Sequence, residues 1–367
     1  MVARRARRDV VVGVAITAFL ALLGSTAVSR WLPLSPSKRG DDVGRFWLAS
    51  HSLLAGTHLF PYRPGFGPFF HPAPYIVLTL PLGLLTASIA ATVAQVASAV
   101  LLVVVIAAWG WNGLRVPWTA WALVISLPVV VAVYLANLPT AIGFTGLTAA
   151  VWAQRRGAWW LVGLAIAMAL IRPANALPVI AMLVASGWNN RRALPAAALS
   201  GLAVLLPLTI VTTAWDHSWA GDYLAMLGEY PAGIEALLGR VYGPLGVVLL
   251  ESLACVLAIY WVRRDVGRPI DLDRAAAVLA MTVLVEPLTA AYAAVFAIPG
   301  LVRVSARQGM GGISPLATII PWLAAFWRGS GALGPDILAP TLVGAIALAT
   351  LPALLRAPAS LRPVSKG

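Results

Sequence analysis

Apolar runs separated by short, basic connectors organise this chain from end to end. The first covers about residues 10–29, and others follow at about 74–88, 89–109, 117–135, 140–153, 158–171, 174–187, 194–213, 241–262, 274–288, 289–302, 313–327 and 338–355. A membrane-crossing helix needs about 20 largely apolar residues, so a chain of 367 residues with short connectors predicts roughly ten to thirteen of them. The alternating pattern of a membrane barrel is absent, which leaves helices. The expectation is an all-α polytopic membrane protein, one domain over residues 1–367, without internal repeats or linkers. Pro128, Pro139, Pro173, Pro178 and Pro207 fall where a helix end or kink is expected.

Composition agrees with lipid as the solvent: 60% of residues are apolar and 11% charged. The net charge of +13 would suggest nucleic acid in a soluble protein, but here the cations lie between apolar runs, where they set orientation. No nucleic-acid partner is expected. Arg4, Arg5, Arg7 and Arg8 precede the first run and predict a cytoplasmic N-terminus with a retained first helix. The connectors with Arg155 and Arg156, Arg191 and Arg192, Arg263 to Arg274, Arg303 and Arg307, and the tail from Arg356 to Lys366, read as cytoplasmic. Segment 214–240, with Asp216, Asp222, Glu229 and Glu235, reads as extracytoplasmic. An odd number of crossings is then required between His71 and Arg155, yet four runs lie there. One of the four is expected to be a half-span, a re-entrant segment or a surface helix. The single cysteine, Cys255, has no partner for an internal disulfide.

The first extracytoplasmic loop, 30–71, concentrates polar chemistry. Val43, Phe46, Trp47, Leu53 and Leu54 recur mostly at helical spacing and predict a short amphipathic helix over 43–54, lying in the interface. Asp41 and Asp42 precede it. Asp41 suits an N-cap, and Asp42 is the candidate for chemistry. His51, His58 and His71 lie in the loop, but they lack tight ligand spacing, so no metal is expected. The rings of Phe46, Trp47, Phe60, Tyr62, Phe66, Phe69 and Phe70 are read mainly as interfacial anchors.

Two stretches carry a resemblance. The first comprises Asp42, Val43, Phe46, Ala49, Leu53, Leu54, Gly56, Leu59, Phe60, Phe70, His71, Pro72 and Pro74, leading into Pro81-Leu82-Gly83-Leu84-Leu85. The second comprises Asn137-Leu138-Pro139-Thr140, Arg155-Arg156-Gly157, Gly163 and Arg172-Pro173. Over roughly residues 40–195 the chain resembles the bacterial polyprenol-phosphate-mannose-dependent mannosyltransferases of glycosyltransferase family 87, which share the GT-C membrane architecture. It differs from that pattern at Phe46 (usually tyrosine), at His71-Pro72-Ala73-Pro74 (a tighter aromatic-Pro-Pro), at a missing glutamine before Asn137, and at Arg172 (usually lysine).

The resemblance implies a GT-C-type bundle in the inner (plasma) membrane with its active site on the extracytoplasmic face. It implies transfer of a hexose, mannose by analogy, from a polyprenyl phosphate to a glycolipid or glycan acceptor, with no resident cofactor. Asp42 would be the general base of an inverting displacement. A phosphate leaving group departs without protonation, so one carboxylate suffices where a glycosidase needs two. The developing phosphate charge calls for donors. Asp41, Arg45, His51, His58, Arg63, His71, Arg172 and Glu286 are the candidates for substrate binding. Arg172 is the sharpest, ending an apolar run with a two-pronged phosphate donor, against the bland alternative of a helix-end arginine reaching for water. Glu286 is an acid within an apolar run, open to a functional or a structural pairing. Trp215, Trp219, Tyr223 and Tyr230, among the acids of the second loop, are expected to face the acceptor. No nucleotide-binding signature is present, so the sugar donor is expected to be lipid-linked. A transporter or lipid flippase, and a non-catalytic scaffold, are the competing classes.

Overall fold

The computed structural model describes residues 2–31, 41–56, 71–111, 116–229, 239–263, 269–285, 291–305, 316, 318–320 and 323. These form an all-helical bundle, and no strand occurs among them. In chain order the helices are α1 (Val2–Trp31), α2 (Asp41–Leu54), a 3-10 segment (Ala73–Thr79), α3 (Leu80–Gly83), α4 (Ala87–Gly110), α5 (Trp118–Val124) and α6 (Leu127–Tyr134). They continue with α7 (Leu138–Arg155), α8 (Trp159–Ala169), α9 (Pro173–Gly187), α10 (Ala193–Trp215), α11 (Trp219–Glu229), α12 (Gly239–Arg263), α13 (Leu272–Val285), a second 3-10 segment (Ala291–Ala297) and α14 (Ile298–Ser305). The runs at 313–327 and 338–355 fall largely or wholly outside the described residues.

Contacts fix the helix directions. Gln95 Nε2 donates to the Tyr134 carbonyl at 3.1 Å and Trp109 Nε1 to Thr148 Oγ1 at 3.0 Å, so α4 and α7 run the same way. Gly110 meets Ala120, so α5 and α6 run back between them. Gly13 of α1 lies against Trp121 and Gly24 against Val130, which sets α1 parallel to α5–α6. At the end where α7 finishes, the Gln154 side chain accepts from the Ile270 N–H at 2.9 Å and Arg155 donates to the Ile270 carbonyl. Arg303 pairs with Asp273 at 2.6 Å nearby. Arg155, Arg156, Arg274 and Arg303 therefore share one end of the bundle.

The 117–135 run breaks because Pro128 lacks an N–H and its ring excludes a continuous helix. Pro128 instead sits in the first turn of α6, where the missing donor costs nothing. Helix α6 ends with Ala136 at φ 50°, the Asn137 N–H bonding the Ala132 carbonyl at 2.8 Å and the Ala136 N–H that of Val133 at 3.0 Å. This is the hydrogen-bond pattern that glycine ordinarily closes, as Gly157 (φ 69°) does after α7. Ala136 is fully buried beside Val43, so tertiary packing holds a conformation that local sterics disfavour.

Of the four runs between His71 and Arg155, the first behaves differently. Pro74 and Pro81 break residues 73–83 into a 3-10 turn and one short helix. That stretch runs beside α2: Ser50 Oγ meets Thr79 Oγ1 at 2.8 Å, His51 Nδ1 meets the Gly83 carbonyl at 3.0 Å, and Trp47 Nε1 donates to the Leu85 carbonyl at 2.9 Å. Three passes then remain before Arg155, namely α4, α5–α6 and α7. Helix α2 itself begins at Asp41, two residues before the expected start, so both acids belong to its first turn.

Helix α8 is held by close backbone approach on two faces. A Cβ on Gly146 would lie 2.6 Å from the Ala165 carbonyl, and one on Gly163 would lie 1.9 Å from that of Ala197. Gly163→Ala must therefore push α8 and α10 apart. We expect it to cost about 1–3 kcal/mol, read as a lowered thermal midpoint of the purified protein. Gly221→Ala, with nothing within 4 Å, is expected to leave the midpoint unchanged or raise it slightly.

Candidate functional site

The N-termini of α7 and α9 open at the same level of the bundle, opposite the third turn of α4. Each begins with a proline in its first turn, whose fixed φ suits helix initiation. Asn137 caps α7, its side-chain oxygen accepting from the Thr140 N–H at 3.0 Å. Arg172 is the N-cap residue of α9 and is buried, at 7% exposure. Its guanidinium donates to Thr140 Oγ1 and stands 5.9 Å from the Phe296 ring centroid. An arginine reaching to water from a helix end would be exposed, so that alternative is set aside. Two helix N-termini and a buried cation give this floor positive potential.

The walls come from α2, the 3-10 segment, α10 and α11. Phe46, Ala73, Tyr75, Ile76 and Ile171 form one buried cluster, with Trp215 and Trp219 packed against it. Val43 packs with Ala94, Ala136 and Leu138, which seats the first turn of α2 beside the start of α7. Asp41 and Asp42 are placed there by their backbone. His71 lies 5.2 Å from Phe46, ring centre to ring centre. Its Nδ1 is 3.1 Å from the Ile171 carbonyl, which can only accept, so Nδ1 carries the proton. Loss of water around the ring and the nearby Arg172 guanidinium, with Arg45 adding to them, lower the His71 pKa from 6.5 to about 3. His71 is therefore a neutral imidazole protonated at Nδ1, and the same two cations that suppress its charge would attract an anion.

The expected site residues thus divide. Arg45, His71 and Arg172 come together, next to the α2 turn that carries Asp41 and Asp42. His51 does not belong with them. It stacks on Trp47 at 5.2 Å and 12° and meets the Gly83 carbonyl, clasping α2 to α3 about a turn and a half beyond Phe46, because helical spacing turns it toward that neighbour. His58, Arg63 and Glu286 lie outside the described residues, as does Tyr230. Trp215 and Trp219 of the second loop do reach the cluster, and burial pushes the Tyr223 phenol up to about 12. Asp216 and Asp222 instead accept from Ser218, each at 2.8 Å, shaping the turn into α11. Among the described residues no three His, Cys, Asp or Glu side chains gather in a group that could hold a metal ion.

Tyr75 and Asn175 were missed by the sequence reading. Tyr75 donates from the cluster to the Ala167 carbonyl, and Asn175 is fully buried one turn into α9. The available signal was a polar group inside an apolar run, three residues after Arg172 in the case of Asn175. No protein-family model matches the chain, and no curated protein does.

The lowered His71 pKa fixes a pH dependence. Between about pH 6.5 and 3 the unfolded chain binds a proton at this ring that the folded chain refuses. Stability therefore falls as the pH falls through that window, by up to about 1.4 kcal/mol per unit. His71→Gln is expected to flatten the loss of thermal midpoint between pH 7 and pH 5 relative to the unchanged protein.

Proposed function

We propose that this protein is a polytopic membrane glycosyltransferase that moves a hexose, mannose in the first instance, from a polyprenyl phosphate to an extracytoplasmic glycolipid or glycan hydroxyl. The observation that carries the reading is the convergence of α2, His71 and Arg172 on the joint N-terminal floor of α7 and α9, although the Ile171 carbonyl that His71 meets is 100 residues away in sequence. Two helices, Ala87–Gly110 and Ala193–Trp215, are long and apolar enough to cross a membrane. Apolar exposure extends well beyond α4: Leu199, Leu202, Leu206 and Ile210 on α10, Val248, Leu249, Leu253 and Val256 on α12, and Val11, Ile16 and Phe19 on α1 are all 50% exposed or more. Exposure on that scale suits lipid better than water. With the basic end cytoplasmic, the floor opens on the opposite side, and residues 73–83 are the run that does not cross.

In the proposed step Asp42 takes the proton of the acceptor hydroxyl as its oxygen attacks the anomeric carbon. The bond from that carbon to the phosphate oxygen breaks, configuration inverts, and the electron pair leaves with the polyprenyl phosphate. That group gains a negative charge as it departs. Arg172, Arg45 and the two helix N-termini are arranged to favour such a charge. Neutral His71 holds the Ile171 carbonyl, and with it the turn that presents Arg172, without adding a competing cation. Trp215 and Trp219, only partly buried over the Phe46 cluster, supply apolar faces of the kind that stack on sugars.

Membranes containing the chain, given radiolabelled mannosyl polyprenyl phosphate and a crude acceptor-lipid extract, are expected to form labelled product. Asp42→Asn should abolish it at matched protein level. Arg172→Leu should reduce the rate by about 10²–10³-fold, the size of effect seen when one donor to a developing oxyanion is removed. Transfer that persists in Asp42→Asn moves the base to another acid. Absence of transfer from mannosyl, glucosyl and arabinosyl donors alike overturns the transferase and favours a transporter.

A further inference from the structure

A groove of about 650 Å³ runs along α7 between α4 and α8, outside the site just described. That volume is within the range of small-molecule sites. Its walls include Leu101, Ile142, Ala149, Trp152, Arg156 and Met168. From Ile142 to Arg156 it follows α7 for about 21 Å at 1.5 Å per residue, more than the ~15 Å hydrocarbon depth of one leaflet. Ile142 packs against the Phe46–Ile171 cluster, so the far end of the groove lies beneath the candidate site.

Apart from Thr145, whose hydroxyl donates to the Ala141 carbonyl at 2.7 Å, the polar side chains of the groove lie at the other end. Arg155 and Arg156, adjacent in sequence, are used differently. Arg155 donates to the Ile270 carbonyl and stands 6.0 Å over the Trp152 ring, so its charge is spent on closing the bundle. Arg156 is exposed and forms no ion pair among the described residues. Beside it, the Trp152 indole N–H is buried without a hydrogen-bond partner. A cation and an unmatched N–H donor at the mouth of an otherwise apolar channel both call for an anionic acceptor joined to a long hydrocarbon chain.

We propose that this groove binds a membrane phospholipid with an anionic headgroup, its phosphate at Arg156 and one acyl chain lying along α7 towards Ile142. The lipid comes from the leaflet at the basic end of the bundle, and the proposal rests on the reading that the bundle lies in a bilayer. The donor lipid is disfavoured as occupant, because a phosphate held at Arg172 would place no charge at Arg156. A chain ending at Ile142 would instead stiffen the α7–α8 pair that carries Thr140 and leads into Arg172.

The test is lipid retention by the purified full chain, measured by native mass spectrometry after addition of phosphatidylglycerol, phosphatidylcholine or undecaprenyl phosphate. The unchanged protein is expected to retain phosphatidylglycerol over phosphatidylcholine. Arg156→Gln should weaken that retention about tenfold, while Arg191→Gln, at an exposed arginine not lining the groove, should leave it unaltered. Ala149→Phe, which fills the groove from an exposed wall position, should lower retention of both phospholipids. Should that variant fail to fold, Arg156→Gln alone decides. Retention of phosphatidylglycerol indifferent to Arg156→Gln overturns the proposal. So does undecaprenyl phosphate retention that Ala149→Phe abolishes and Arg156→Gln spares, which would make the groove the seat of the donor's tail. No sugar transfer enters this readout, so failure of the transferase reading leaves its result standing.

Discussion

A buried guanidinium constrains everything around it. Taking Arg172 out of water is costly unless its charge is answered by acceptors and polarisable neighbours, and the structure supplies Thr140 and the Phe296 ring. Thr140 holds its place because Asn137 caps α7, and Asn137 holds its place because Ala136 accepts a left-handed backbone under Val43. Loss of water around the ring, with the Arg172 charge and then Arg45 adding to it, keeps His71 neutral beside them. A chain of local requirements thus joins α2, α6, α7, α9 and the 291–297 segment at one point.

Depth follows from that arrangement. Gln95 faces Tyr134, so α4 extends about 12 Å, or eight residues at 1.5 Å each, beyond the level at which α7 starts. The space above the floor is filled by α2 and the 73–83 stretch, which rise together from Phe46 and His71 to Trp47, His51 and Leu85. Prolines 74 and 81 keep that stretch from becoming a long helix, and so keep it in the layer that walls the site. The first turn of α2 is thereby seated by Val43 against Ala136 and Leu138 at the start of α7, the helix whose Thr140 accepts from Arg172.

The opposite end obeys a different logic. Arginines there either close the bundle, as Arg155 and Arg303 do through Ile270 and Asp273, or stand exposed, as Arg156, Arg191 and Arg192 do. Segregation of the cations to one end leaves the floor of α7 and α9 as the place where buried positive charge is concentrated. The molecule is polarised along its axis, with solvated cations at one end and a desolvated one near the other.

Much of this was legible in the sequence, for a physical reason. Apolar run length and proline position act locally, so the helices α4, α7, α9 and α10 fall within a few residues of their expected limits, and Arg172 was recognisable as a cation at the edge of an apolar run. The short helix expected over 43–54 is present as α2, its start missed by only two residues. Other features depended on contacts between distant segments. Nothing near His51 distinguishes it from His71, yet one clasps Gly83 and the other meets Ile171 and Arg172. Which of four apolar runs fails to pass along the bundle, and which of two adjacent arginines remains exposed, are likewise settled by partners far away in the chain. Run length, proline position and the placing of charged residues are read along the chain, and they were enough for the helices and the charge asymmetry. Only the tertiary structure decided which polar groups share a site, because burial and pairing are properties of neighbours in space.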